Sequence, residues 1–102
     1  MAAGRDSAAS SPVRRIVITG ASSGLGRALA TELALRFPGS TMLLLARRAD
    51  RLAELAADLP QVQCVCETVD ITDHERLSGI CRRFVTEHGA PDIVIANAGI
   101  SA

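Results

Sequence analysis

Thr19-Gly20-Ala21-Ser22-Ser23-Gly24-Leu25-Gly26 (TGASSGLG) joins two segments of different periodicity. Before it, Arg15-Ile16-Val17-Ile18-Thr19 is a short β-rich run. After it, Leu25, Leu29, Leu33 and Phe37 recur every four residues, with Ala28 and Ala34 beside them. That spacing predicts one apolar face of a helix. Pro38-Gly39 stops the helix. A strand, a glycine-rich turn and a helix thus follow one another.

The same alternation continues outward. Thr41 to Ala46 (TMLLLA) is apolar without alternation, as in a strand buried on both faces of a parallel sheet. Leu52, Leu55, Ala56 and Leu59 form a second helical stripe, stopped by Pro60. Val62 to Thr68 reads as a third strand. Thr72 and Glu75 have the spacing of a capping box, opening a helix that buries Leu77, Ile80, Cys81, Phe84 and Val85 and ends at Gly89. Asp92 to Ala96 (DIVIA) is the fourth strand. The order β-α-β-α-β-α-β predicts an α/β fold with a parallel sheet and right-handed crossovers.

Between a strand and a helix, glycines carry a specific chemistry. Helix N-terminal N–H groups and the helix dipole bind a dinucleotide pyrophosphate there. Gly20 allows the tight turn, Gly24 lets the backbone approach the phosphate, and Gly26 lets the helix pack close to the sheet. Ser22 and Ser23 offer hydroxyls to phosphate or ribose, and either would also cap the helix; Leu25 belongs to the same turn. A glycine turn that binds nothing is the minor reading, given the two further βα units.

The spacing G-x-x-x-G-x-G differs from the usual G-x-G-x-x-G fingerprint. It resembles the TGxxxGxG cofactor motif of the short-chain dehydrogenases/reductases. Two later landmarks agree in order and spacing. Asp70 in VDITD follows the third strand, where that family has an aspartate near the adenine, and Ile71 is counted with it. A strand-end cap is the bland alternative for Asp70. Asn97-Ala98-Gly99 resembles the family's NNAG motif, with Ala96 in place of its first Asn. The resemblance runs from Arg14 to the end. It implies a Rossmann-like doubly wound sheet with strand order 3-2-1-4, of which this sequence holds the first half. It also implies that Asn97 ties the central sheet together near the cofactor ribose and donates no proton.

Cofactor choice is read after the second strand. A carboxylate there binds the 2′-hydroxyl of NAD, whereas an Arg accepts the 2′-phosphate of NADP. Arg47-Arg48 follow Ala46, and no acid occurs before Asp50. NADP(H) is therefore expected over NAD(H), with Arg47 the primary contact, Arg48 beside it and Ser22 a second contact. Solvated helix-start arginines are the alternative, but cations at a helix N-terminus oppose its dipole.

The resemblance implies hydride transfer between nicotinamide and a small alcohol or carbonyl compound. The family's proton donor is a Tyr, with a Lys four residues on and an orienting Ser. This sequence of 102 residues has no Tyr, and its 11 basic residues are all Arg. No catalytic residue is assigned to it. The expected organisation is a flexible tail over residues 1–12 and an NADP-binding domain over 13–102, truncated on its C-terminal side. The expected chain is thus the N-terminal part of an oxidoreductase, inactive alone. A stand-alone NADP-binding module, or a degenerate half associating through its open sheet edge, are the other readings.

Composition excludes other classes. Hydrophobic residues make up 48 % and charged residues 22 %, with a formal net charge of +0, so no global field favours nucleic acid or anionic lipid. No apolar run reaches the roughly 18 residues of a membrane span. The small polar start MAAGRDSAASSP lacks the middle of a signal peptide. Cys64, Cys66 and Cys81, odd in number, read as reduced thiols in a cytoplasmic protein, with Cys64 and Cys66 as buried structural groups. His74 and His88 read as solvated helix residues, and no metal site is expected. A homo-oligomer is compatible with the sequence.

Overall fold

The structure, a computed structural model, describes residues 14–97. Seven elements alternate: β1 (Arg15–Thr19), α1 (Gly24–Arg36), β2 (Thr41–Ala46), α2 (Ala49–Ala57), β3 (Gln63–Thr68), α3 (His74–His88) and β4 (Ile93–Ala96). All strand pairs are parallel, as the β-α alternation predicts, and the sheet order is β3-β2-β1-β4, as the resemblance implies.

Strand alternation sends side chains to two separate cores. Ile16, Ile18, Met42 and Leu44 meet α1 and α2 on one face, with Leu52, Leu55 and Leu59 closing that core. Val17, Leu43 and Leu45 meet Ile80 and Phe84 of α3 on the other. All six residues of β2 are buried, which is why its sequence from Met42 to Ala46 is continuously apolar. Each large aliphatic side chain so buried contributes about 1.5–3 kcal/mol.

Several local expectations are corrected. In α1 the buried face is Gly26, Ala30 and Ala34, not the leucine stripe. Leu33 and Phe37 pack at its margin, Leu29 is half-buried, and Leu25 and Ala28 are exposed. Small residues bring the helix axis close to the sheet, so larger side chains splay to the flanks. α3 begins one residue later than the Thr72 capping box requires: its cap is Asp73, whose carboxylate accepts from the Arg76 N–H at 3.2 Å. The Thr72 hydroxyl is turned away to the Asp70 carboxylate at 2.8 Å. Val85, expected inside, is 44 % exposed.

The cysteines are also less buried than expected. Cys66 is exposed and Cys64 half-buried, because β3 is an edge strand and the short α2 covers it incompletely. Burial, with Cys66 nearby, still pushes the Cys64 thiol up to about 11. His74 is exposed, whereas the His88 ring is half-buried against Phe84 at 5.0 Å. Among the described residues β4 pairs only with β1, and Val94 on that edge is 60 % exposed. No helix among them is long and apolar enough to cross a membrane.

Candidate functional site

The parallel register brings the carboxyl ends of all four strands to one edge. Thr19 of β1 lies opposite Leu45 of β2 and Ala96 of β4, and Ala46 lies opposite Thr68 of β3. Connections run to opposite sides of β1, so the crevice of an open α/β sheet falls between β1 and β4.

The glycine turn fills the mouth of that crevice. Gly20 has φ 65°, in the left-handed region that favours glycine, and reverses the chain out of β1. The Ala21 N–H donates to the Leu45 carbonyl at 3.0 Å and fixes the turn over β2. Ser23 then caps α1. Its hydroxyl donates to the Gly20 carbonyl at 2.8 Å and accepts from the Gly26 N–H at 3.2 Å and from Asn97 Nδ2 at 2.8 Å. One hydrogen and two lone pairs are thereby used. Of the two roles open to Ser23 in the sequence, the structure realises the cap, and Ser22 carries the hydroxyl without a partner among the described residues.

Asn97, 5 % exposed, ends β4 and also donates to the Gly20 carbonyl at 3.1 Å. One side chain therefore locks the end of the fourth strand to the turn after the first. Beyond it, Ala98 and Gly99 lie outside the described residues.

The first turn of α1 holds no acid. Helix geometry leaves the N–H groups of Gly24 and Leu25 without a carbonyl one turn back. A Cβ built on Gly24 would meet nothing within 4 Å. This helix end is open and positive, which is the electrostatic and steric requirement for an anion.

Three charged side chains follow the neighbouring strands at the same edge. Arg47 and Arg48 follow β2 and are exposed. Arg48 Nε and Nη2 donate to Asp50 Oδ1 and Oδ2 at 3.2 and 2.9 Å. Arg47 makes no hydrogen bond or ion pair among the described residues. Asp70, exposed beyond β3, accepts from the Thr72 N–H at 3.0 Å and its hydroxyl at 2.8 Å. These hydrogen bonds, with a smaller part from the charge of Arg47, hold its carboxyl below the usual carboxylate range. Ile71 is half-buried beside it. The structure thus joins the turn and Asn97 directly, and sets Arg47 and Asp70 within electrostatic reach of each other. Sequence reasoning missed the saturation of Ser23 and the fork of Arg48 on Asp50. The spacing of an Arg two residues before an Asp at a helix start was the available signal for the latter.

The short chain dehydrogenase family profile matches residues 14–102. An uncharacterised oxidoreductase of Mycobacterium tuberculosis is 43 % identical over 91 residues, covering 85 % of this chain and 35 % of that protein. An NADPH-dependent pterin aldehyde reductase of Arabidopsis thaliana is 38 % identical over 87 residues, covering 84 % and 35 %. The crystal structure of L-sorbose reductase from Gluconobacter frateurii, complexed with NADPH and L-sorbose, superimposes with a TM-score of 0.78 at 33 % identity, covering 88 % of this chain and 35 % of that one. The chain spans 35 % of the length of these curated relatives.

Proposed function

The chain belongs to the short-chain dehydrogenase family, and on that premise we propose that it binds NADP(H) at the carboxyl edge of its sheet, as the cofactor-binding part of an oxidoreductase. The open N-terminus of α1 carries this reading: the space a Gly24 Cβ would fill is empty of protein, and the N–H groups around it are those an anion would need. The pyrophosphate would lie against Gly24 and Leu25, with the Ser22 hydroxyl as a further donor. Gly20, Ser23, Gly26 and Asn97 hold that turn in shape. Asp70 and Ile71 would flank the adenine end, with Ala98 and Gly99 continuing the site past Asn97.

Arg47 supports NADP(H) over NAD(H). Its guanidinium makes no hydrogen bond or ion pair among the described residues and matches a phosphate with charge-assisted, bidentate hydrogen bonds. The nearest acid after β2, Asp50, has both carboxylate oxygens on Arg48. When bound, the nicotinamide would supply or accept hydride in exchange with a small alcohol or carbonyl compound. Carbonyl reduction also needs a positioned acid. With no Tyr and no Lys in these 102 residues, the family's usual proton donor is not supplied here, so the chain binds and orients without completing that chemistry.

Isothermal titration of the chain with NADPH and NADH tests the reading. NADPH binds more tightly, and Gly24→Val abolishes binding of both by filling the anion's space. A Gly24→Val protein that keeps its circular dichroism and still binds NADPH normally overturns it.

A further inference from the structure

Arg47 and Arg48 are adjacent, yet the fold treats them differently. Arg48 is the residue before α2 and Asp50 lies in that helix's first turn. The backbone at Arg48 is extended, with φ −111° and ψ 105°, and this lets its side chain return over the helix start. Two parallel N–H···O bonds at 3.2 and 2.9 Å then join it to Asp50 side-on. Pairing raises the Arg48 pKa and lowers that of Asp50, each chiefly through this hydrogen-bonded contact, and Glu54 one turn on adds to the negative field around Arg48. Asp50 is well placed on its own account, since an acid in the first turn complements the helix dipole. Among the described residues Arg47 has no such carboxylate; Asp70 feels its charge, and that carboxylate is engaged by Thr72.

We propose that Asp50 is a specificity-determining positioning residue: by occupying the Arg48 guanidinium it leaves Arg47 as the single cation that reads the 2′-phosphate, and it holds the preference for NADPH below what two free arginines would give. This rests on the NADP(H) reading of the site. The physical reason is competition. A phosphate recruiting Arg48 must first displace a bidentate carboxylate, and the loss of that pair offsets the new phosphate bonds. Both side chains are more than half exposed, at 59 % and 61 %, so the pair is of the weak surface kind and the limit it sets is correspondingly modest.

Titration of the chain with NADPH and NADH at fixed ionic strength tests this with three variants. Asp50→Asn, of the same shape but without charge, releases Arg48 and tightens NADPH about two- to five-fold, the range set by an exposed ion pair. NADH changes little. Asp50→Glu keeps a carboxylate within reach and returns NADPH affinity toward that of the unaltered chain. Adding Arg48→Ala to Asp50→Asn removes the tightening. Three results overturn the proposal: Asp50→Asn leaving NADPH unchanged or weaker; both cofactors moving together; or the tightening persisting in the double variant, which would make Asp50 a plain repelling charge that does not act through Arg48. If the unaltered chain itself shows no preference for NADPH, the NADP(H) reading has failed first, and that outcome is distinct from the other three. Circular dichroism of each variant confirms that α2 remains folded.

Discussion

A methyl group on Gly26 would sit 2.1 Å from the Gly20 carbonyl oxygen and 2.9 Å from Asn97 Nδ2. The same group on Gly24 would touch nothing. Two glycines of one motif thus do different work: one makes room for protein, the other leaves room outside it. Gly26→Ala must displace backbone, so it lowers stability by about 1–3 kcal/mol, the usual range for overpacking. Gly24→Ala leaves stability within about 0.5 kcal/mol of the unaltered chain. Urea unfolding of the two variants checks this, and equal losses would mean the turn is packed differently. The motif's spacing made the turn and the role of Gly26 legible. It could not show that Ser23 spends its whole hydroxyl on Gly20, Gly26 and Asn97, because Asn97 is 74 residues away and only the β1–β4 pairing brings it there.

Elements were legible where one physical demand dominates. β2 lies between two layers, so every residue after Thr41 is apolar and its bounds fall where the sequence places them. In α1 two demands compete. Leucine spacing marks an amphipathic helix, but close approach to the sheet requires small side chains, and the residues facing the sheet are Gly26, Ala30 and Ala34. A period near four fits either face, and only packing decides between them. Likewise Thr72 has capping chemistry, yet the Asp70 carboxylate takes its hydroxyl and Asp73 caps α3 instead. The small face of α1 gives an unequal pair of substitutions. Ala30→Leu forces three extra carbons into the core that holds Ile16 and Ile18 and costs about 1–3 kcal/mol. Leu25→Ala, at a position 54 % exposed, stays within about 0.5 kcal/mol. Thermal melts separate the two, and the reverse order would restore the leucine face as the buried one.

At the scale of the molecule, a parallel sheet with helices on both faces gathers the ends of β1, β2, β3 and β4 at one edge. That gathering makes residues as distant in sequence as Gly20, Arg47, Asp70 and Asn97 candidates for one site; β-α alternation was enough to foresee the parallel sheet, whereas Asp70 and Asn97 were singled out by the family resemblance. Among the described residues the same order leaves β4 at an edge with Val94 exposed, a strand without the charges or bulges that usually protect one. On the proposed reading this carboxyl edge holds NADP(H), with Arg47 reading the phosphate. Calorimetric titration of Arg47→Ala against the unaltered chain tests it most directly. NADPH binding weakens by about 1.5–3 kcal/mol, the scale of a lost hydrogen bond to a charged group, while NADH binding barely changes. Equal losses for both cofactors, or none for NADPH, would contradict it.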